Sequence, residues 1–135
     1  MMCFIIFLKH FQKYKYVDVG IGSLNIKAKI SDTLTKKIIG LMYEKNISSK
    51  EGMIFIFNKE TNIPIWMRNM KFSIDVLWLD SNKKIVHIEK NLKPARMLDF
   101  RTYGGHIKAR YVVEIKSGLV KKHHINRNSE VSINL

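Results

Sequence analysis

Leu24-Asn25-Ile26-Lys27-Ala28-Lys29-Ile30 alternates without a break, with Leu24, Ile26, Ala28 and Ile30 on one side and Asn25, Lys27 and Lys29 on the other. Successive side chains of an extended strand point to opposite faces, so this stretch predicts a strand with one face in a core and one in solvent. Gly22-Ser23 precedes it, and before that runs a first apolar segment over residues 16–21. Two such residues between two runs make a tight hairpin turn. The fold is therefore read as β-rich from this point outward.

Downstream, Ser31 or Asp32 can cap a short helix reaching residue 41 or 42, because a side-chain oxygen accepts from the free amides of a first helical turn. Leu34, Ile38 and Leu41 recur at helical spacing and are expected to face the core. After a polar loop at 44–50, Met53-Ile54-Phe55-Ile56-Phe57 reads as a strand buried on both faces. Residues 58–64 are expected to turn and 65–70 to resume extended. Ile74-Asp75-Val76-Leu77-Trp78-Leu79 is a further apolar strand, and Asp80-Ser81-Asn82-Lys83 supplies turn chemistry before a strand at 84–90. Residues 92–107 hold Pro94 and Gly104-Gly105 and read as a long loop, a kind often functional in a compact domain. A strand at 109–116, a short helix at 118–124 and a strand at 131–135 complete the chain. No internal repeat, low-complexity tract or linker interrupts it.

The chain has 135 residues, the size of one domain, and 46% of them are hydrophobic, which argues against global disorder. A single cysteine, Cys3, allows no intrachain disulfide. The net charge of +13 invites a nucleic-acid reading, but the cations are mostly Lys and are spread in short pairs such as Lys36-Lys37 and Lys121-Lys122. Without an Arg-rich stripe, general attraction to anionic surfaces is the better expectation, and electrostatic nucleic-acid association is the weaker one.

Residues 1–15 stand apart from the domain expected over 16–135. Met1-Met2-Cys3-Phe4-Ile5-Ile6-Phe7-Leu8 is followed by Lys9, Lys13 and Lys15. It is too short to span a bilayer, and its charges follow the apolar run, the reverse of a secretory signal. An extra element packed on the domain, an interfacial anchor with apolar residues at helical spacing, and the remnant of a longer leader all fit.

Several residues stand out as candidate chemistry. Asp75 lies inside an apolar strand, where an unpaired buried charge would cost several kcal/mol. It must be paired, reachable by solvent, or neutral. Arg110, the one Arg within an otherwise apolar strand, is the natural partner, and a fold-fixing Asp75–Arg110 ion pair stands beside a ligand-binding or catalytic carboxylate and a solvated edge. Trp66 and Asn69 near Asp75 could line a small polar pocket, against the alternative that Trp66 is core and Asn69 satisfies a turn. The candidate ligand-binding set is Trp66, Asn69, Asp75 and Arg110.

Met42, Met53, Met67 and Met70 with His87 or His106 raise a soft Cu(I) site, but Met mostly fills cores, and no metal or cofactor is expected. No serine sits in a nucleophile elbow, and Gly104-Gly105-His106 is not a phosphate loop. A paired-carboxylate hydrolase would need Glu51 or Glu114 beside Asp75.

Four motifs in order resemble a known family. They are Gly40-Leu41-Met42, then Glu51-Gly52-Met53-Ile54-Phe55-Ile56-Phe57, then Trp66-Met67-Arg68-Asn69-Met70 with Asp75, and last Ala109-Arg110-Tyr111-Val112-Val113-Glu114 with Gly118. Over about residues 24–135 the chain resembles the domain of unknown function 192 family. Met70 stands where the family has Thr and Ser73 where it has Pro, and the family's Cys-containing loop is missing around 99–103. The resemblance implies a mainly β single domain, a β-sandwich or barrel of which a jelly roll is one form, with one or two short helices. Many such proteins carry a signal or lipid anchor, which implies an extracytoplasmic or membrane-associated setting.

The resulting expectation is an uncharacterised protein acting as a non-catalytic binding or accessory module at or outside a membrane, with a small-molecule or protein partner. A small carboxylate-dependent, carbohydrate-type hydrolase is the alternative.

Overall fold

The computed structural model describes residues 12–135 together with Phe4 and Phe7. The anchor, leader and Cys3 readings of the N-terminal segment therefore lie outside the described residues. Among the described residues from 12 onward lie nine strands and two short helices: β1 (Tyr16–Ile21), β2 (Leu24–Ser31), α1 (Leu34–Ile39), β3 (Glu51–Asn62), β4 (Ile65–Trp66), β5 (Ile74–Leu79), β6 (Ile85–Leu92), β7 (Thr102–Tyr103), β8 (Lys108–Lys116), α2 (Leu119–Lys122) and β9 (Val131–Ile133).

Seven strands form one sheet in the order β6-β5-β8-β3-β2-β1-β9, and β4 pairs with β7 in a separate ribbon. The sheet curls into a half-barrel, the form taken by the expected mainly β domain. The hairpin of β1 and β2 turns at Gly22-Ser23 as read, with Ile21 opposite Leu24. All ladders of the large sheet are antiparallel except β2–β3. A parallel pair needs a crossover rather than a hairpin, and α1 supplies it.

The curl creates two cores on opposite faces. Inside it, Val17 and Val19 of β1 pack in one cluster with Leu79 of β5, Ile85 of β6 and Leu119 of α2. On the other face, Met53, Phe55, Val76, Trp78 and Val112 are covered by Leu41, Ile47, Ile65 and Met67. Every residue of β5 is buried. That double burial explains why the central strands read as unbroken apolar runs while β2, nearer the sheet edge, alternates.

Three local expectations change. The α1 helix begins one to two residues later than the caps suggested, with Thr33 as its N-cap accepting from the Lys36 amide, because β2 runs on to Ser31. The delay turns the helix. Ile39 and Leu41 are buried, whereas Leu34 is 75% exposed and Ile38 48%. The adjacent pair Ile38-Ile39 offers an apolar side chain to either orientation, so spacing alone could not choose. Second, β3 continues through the expected turn to Asn62, by way of a register shift between Ile56 and Thr61. Third, the extended segment after Pro64 stops at Trp66 as a ladder, and Asn69 adopts a left-handed φ of 59°.

Candidate functional site

Glu114 sits toward the C-terminal end of β8, opposite Met53 of β3 and Val76 of β5. Strand alternation points it to the face of Val112, away from the inside of the curl. Its neighbours on both sides are apolar, and no described residue donates a hydrogen bond to its carboxyl. Burial pushes that carboxyl up to about 8, so it holds its proton at neutral pH.

The backbone around it is drawn in tightly. A Cβ on Gly52 would lie 2.7 Å from the carbonyl oxygen of Glu114 and 2.7 Å from the Ile26 side chain, so only glycine lets β3 approach here.

The carboxyl opens into a cleft of about 60 Å³ whose walls include Gly40, Met42, Phe55, Ile65, Trp66 and Met70. Gly40 places this wall. Its φ of 49° ends α1, its amide donates to the Lys36 carbonyl, and the chain then turns so that Leu41 and Met42 are buried. The opposite wall is held by Asn69, whose left-handed turn brings its carbonyl to the Tyr43 amide at 3.3 Å.

Beside the cleft and sharing Lys37, Ile38, Pro64, Ile65 and Trp66 with it lies an apolar groove of about 430 Å³ that also takes in Phe57 and Thr102. The Lys37 ammonium lies 4.0 Å from the centre of the Phe57 ring, and burial lowers its proton affinity against an opposing pull from Asp32. The arrangement offers an apolar wall for a ligand body and a neutral acid at the floor to donate or accept one hydrogen bond.

The four residues singled out from the sequence do not converge. Trp66 lines the cleft and is 41% exposed. Asn69 is a turn residue whose amide reaches the Met42 sulfur at 3.9 Å, the alternative weighed for it above.

Asp75 faces the inside of the curl, and the expected Asp75–Arg110 pair is not formed. Asp75 accepts from the backbone amides of Asn91 at 2.8 Å, Gly118 at 3.0 Å and Val120 at 3.0 Å. Asp75 pairs with Ile115, five residues along β8 from Arg110. The Arg110 guanidinium instead donates to the Phe57 carbonyl at 3.2 Å. A carboxylate that caps amides from two separate segments is a fold-fixing group, by a different partner than foreseen.

The hydrolase alternative fails on the same geometry. Asp75 shares its face with Leu77 and Ile115, while Glu114 shares the other with Val76 and Val112. Glu51, in register with Met53 and Phe55 on its own strand, also alternates away from Asp75. Two carboxyl groups on opposite faces of a sheet cannot flank one scissile bond. Met42, Met53 and Met67 are buried core, and among the described residues no group of three or more His, Cys, Asp or Glu could hold a metal ion.

From the sequence Glu114 stands out only as a possible second acid beside Asp75. The signal was present: a lone carboxylate within Tyr111-Val112-Val113-Glu114-Ile115 poses the question that Asp75 posed in its own strand.

The DUF192 family profile, described as an uncharacterized ACR, matches residues 17–133. The chain belongs to the DUF192 family. Among its relatives is a UPF0127 protein of Thermococcus kodakarensis, 32% identical over 108 residues, which cover 78% of this chain and 64% of that relative. Another, from Pyrococcus horikoshii, is 35% identical over 95 residues, covering 69% of this chain and 75% of the relative. The match thus takes in less than two thirds of the Thermococcus kodakarensis protein.

Two solved structures share the fold. A protein of Sinorhizobium meliloti 1021, provisionally described as a transcription regulator, superposes with a TM-score of 0.82 at 20% identity over 90% of this chain and 96% of that one. A protein of unknown function from Novosphingobium aromaticivorans gives 0.75 at 24% identity over 88% and 84%. At these identities the likeness shows the DUF192 fold alone. Gly40-Leu41-Met42, Phe55, Trp66 and Met70 of this DUF192 chain line the cleft together with Glu114.

Proposed function

We propose that this DUF192 domain is a non-catalytic binding module whose ligand lies in the apolar groove and places one hydrogen-bonding group on Glu114. One observation carries the reading: a carboxyl to which no described residue donates a hydrogen bond opens into a cleft. Leaving a buried polar group unsatisfied costs about 1–3 kcal/mol, a cost that a ligand removes on binding. Binding sites for small molecules are mostly apolar concavities with a few convergent polar groups, and this groove has that composition. The ligand class it fits is a mostly apolar or aromatic body ending in a hydrogen-bonding group.

A thermal-shift screen of the full chain against amphipathic small molecules tests this. A ligand at about 100 times its dissociation constant adds roughly 2.7 kcal/mol of stability. The hit should weaken in Glu114→Gln and Trp66→Ala and persist in Arg110→Gln. A ligand bound equally well by all four proteins would move the site elsewhere.

The family resemblance and the net charge of +13 support placing the module at or outside a membrane. Among the described residues no helix is long and apolar enough to cross one. Separation of cells into cytosolic, membrane and external fractions tests the placement, which fails if the protein is confined to the cytosol.

A further inference from the structure

The segment between β6 and β7 builds an exposed apolar surface set among cations. The Asp99 amide donates to the Arg96 carbonyl at 2.9 Å, closing a tight turn with Met97 and Leu98 at its two corners. Turn corners favour Gly, Pro, Asn, Asp and Ser. Here they carry two long apolar side chains, 85% and 81% exposed, with Phe100 at 61% beside them.

The turn is held rather than loose. Its base is tied to the Trp66–Met70 segment by the Ala95 amide on the Met67 carbonyl at 3.0 Å, and Asp99 accepts from the Arg101 amide at 2.9 Å. Cations surround the tip. Lys93, Arg96 and Arg101 are exposed, and the Arg68 guanidinium lies 4.4 Å from the centre of the Phe100 ring and 5.1 Å from that of Trp66. Asp99 is the one acid in this stretch, and it is already paired with Arg101 at 3.9 Å.

We propose that the turn at 96–99, together with Phe100, is a docking tip for an anionic lipid surface: Met97, Leu98 and Phe100 enter the headgroup layer while Arg96, Arg101, Lys93 and Arg68 meet the lipid phosphates. An apolar projection ringed by cations satisfies both halves of a bilayer interface, where apolar side chains gain burial and basic groups gain the surface potential. Single-stranded nucleic acid also takes up cations and aromatics, but it needs open ring faces on which bases can stack. The two corner residues have no ring, and Arg68 already covers Trp66 and Phe100. The proposal rests on the membrane placement above but not on the Glu114 cleft. Docking would bring that groove to the bilayer, because Thr102, the residue after Arg101, lines it.

The test is co-sedimentation of the full chain with phosphatidylcholine vesicles containing or lacking about 30% phosphatidylglycerol. Anionic vesicles should bind it at least about tenfold more tightly. The Met97→Ser/Leu98→Ser and Arg96→Gln/Arg101→Gln proteins should each lose about tenfold. Of the two tryptophans, Trp78 is fully buried, so quenching by brominated lipid should report Trp66 at the interface.

Wild-type binding by both double variants overturns the proposal, since overall charge or the N-terminal segment then accounts for attachment. So does a wild-type chain that ignores anionic vesicles, or one whose tip is required for single-stranded RNA and not for lipid. A cytosolic protein in cells whose tip still docks on vesicles would remove the membrane placement and leave the tip intact.

Discussion

The carboxylate of Asp75 accepts from the amide of Val120 at 3.0 Å, across 45 residues of sequence, and so fixes where α2 begins on the inside of the curl. The helix has no side-chain cap of its own, since its N-cap is Gly118. Asp75 therefore supplies from β5 the acceptor that a capping residue would normally carry.

Replacing Asp75 with Ala should destabilise the domain by about 3 kcal/mol, because buried amides lose a charged acceptor. Asp75→Asn should cost less but still measurably, since its amide nitrogen cannot accept from the donors it would face. Urea unfolding measures both. Ligand or vesicle binding by the Asp75→Asn protein, under conditions where it is folded, should match wild type. Loss of binding without loss of stability would return Asp75 to the list of functional groups.

Glu114 makes stability depend on pH in a direction opposite to an ordinary salt-bridged acid. Its carboxyl is raised from 4.5 to about 8, so the folded protein keeps a proton that the unfolded chain releases. Stability therefore falls as pH rises from about 4.5 to about 8 and is level above that. Glu114→Gln keeps the shape without titrating. It should be more stable than wild type by about 3 kcal/mol at pH 7, with little difference at pH 4. Equal stability of the two proteins at both pH values would show that the acid is hydrated or paired in solution.

Trp66 and Met67 are adjacent in sequence and opposite in role. Trp66 faces the groove and is 41% exposed, whereas Met67 is 1% exposed. Met67→Ala should cost about 2–5 kcal/mol in unfolding experiments. Trp66→Ala should change stability by less than about 1 kcal/mol while weakening any groove ligand. A reversed pattern would mean that Trp66 is a core residue in solution.

Gly104 is required by Trp78. It has a φ of 70°, and a Cβ there would enter the indole ring, which is itself pinned by its N–H on the Ile63 carbonyl at 2.8 Å. Gly104→Ala should lower stability by about 2–4 kcal/mol, from overpacking added to a left-handed backbone. Gly118→Ala, where nothing lies within 4 Å, should cost only the backbone share. Differential scanning calorimetry of the two proteins separates the contributions, and equal losses would remove the indole contact as the cause.

The sequence by itself determined the β-rich class, the hairpin at Gly22-Ser23, the buried central strands and membership of the family. These are carried by periodicity, turn chemistry and motif order, all local along the chain. It also marked Asp75 as an acid within an apolar strand that had to be paired, reachable by solvent, or neutral.

Only the tertiary structure decided who those partners are, because three backbone amides from β6 and the start of α2 reach Asp75 through the curl of the sheet. Tertiary structure likewise chose Ile39 over Ile38 as the core side of α1. It also placed Glu114 under a cleft and set Asp75 and Glu114 on opposite faces. The physical reason is common to all of them. A strand's alternation says that neighbouring residues face opposite ways, but which face is covered, and by what, depends on register and curvature set by chain far away in sequence.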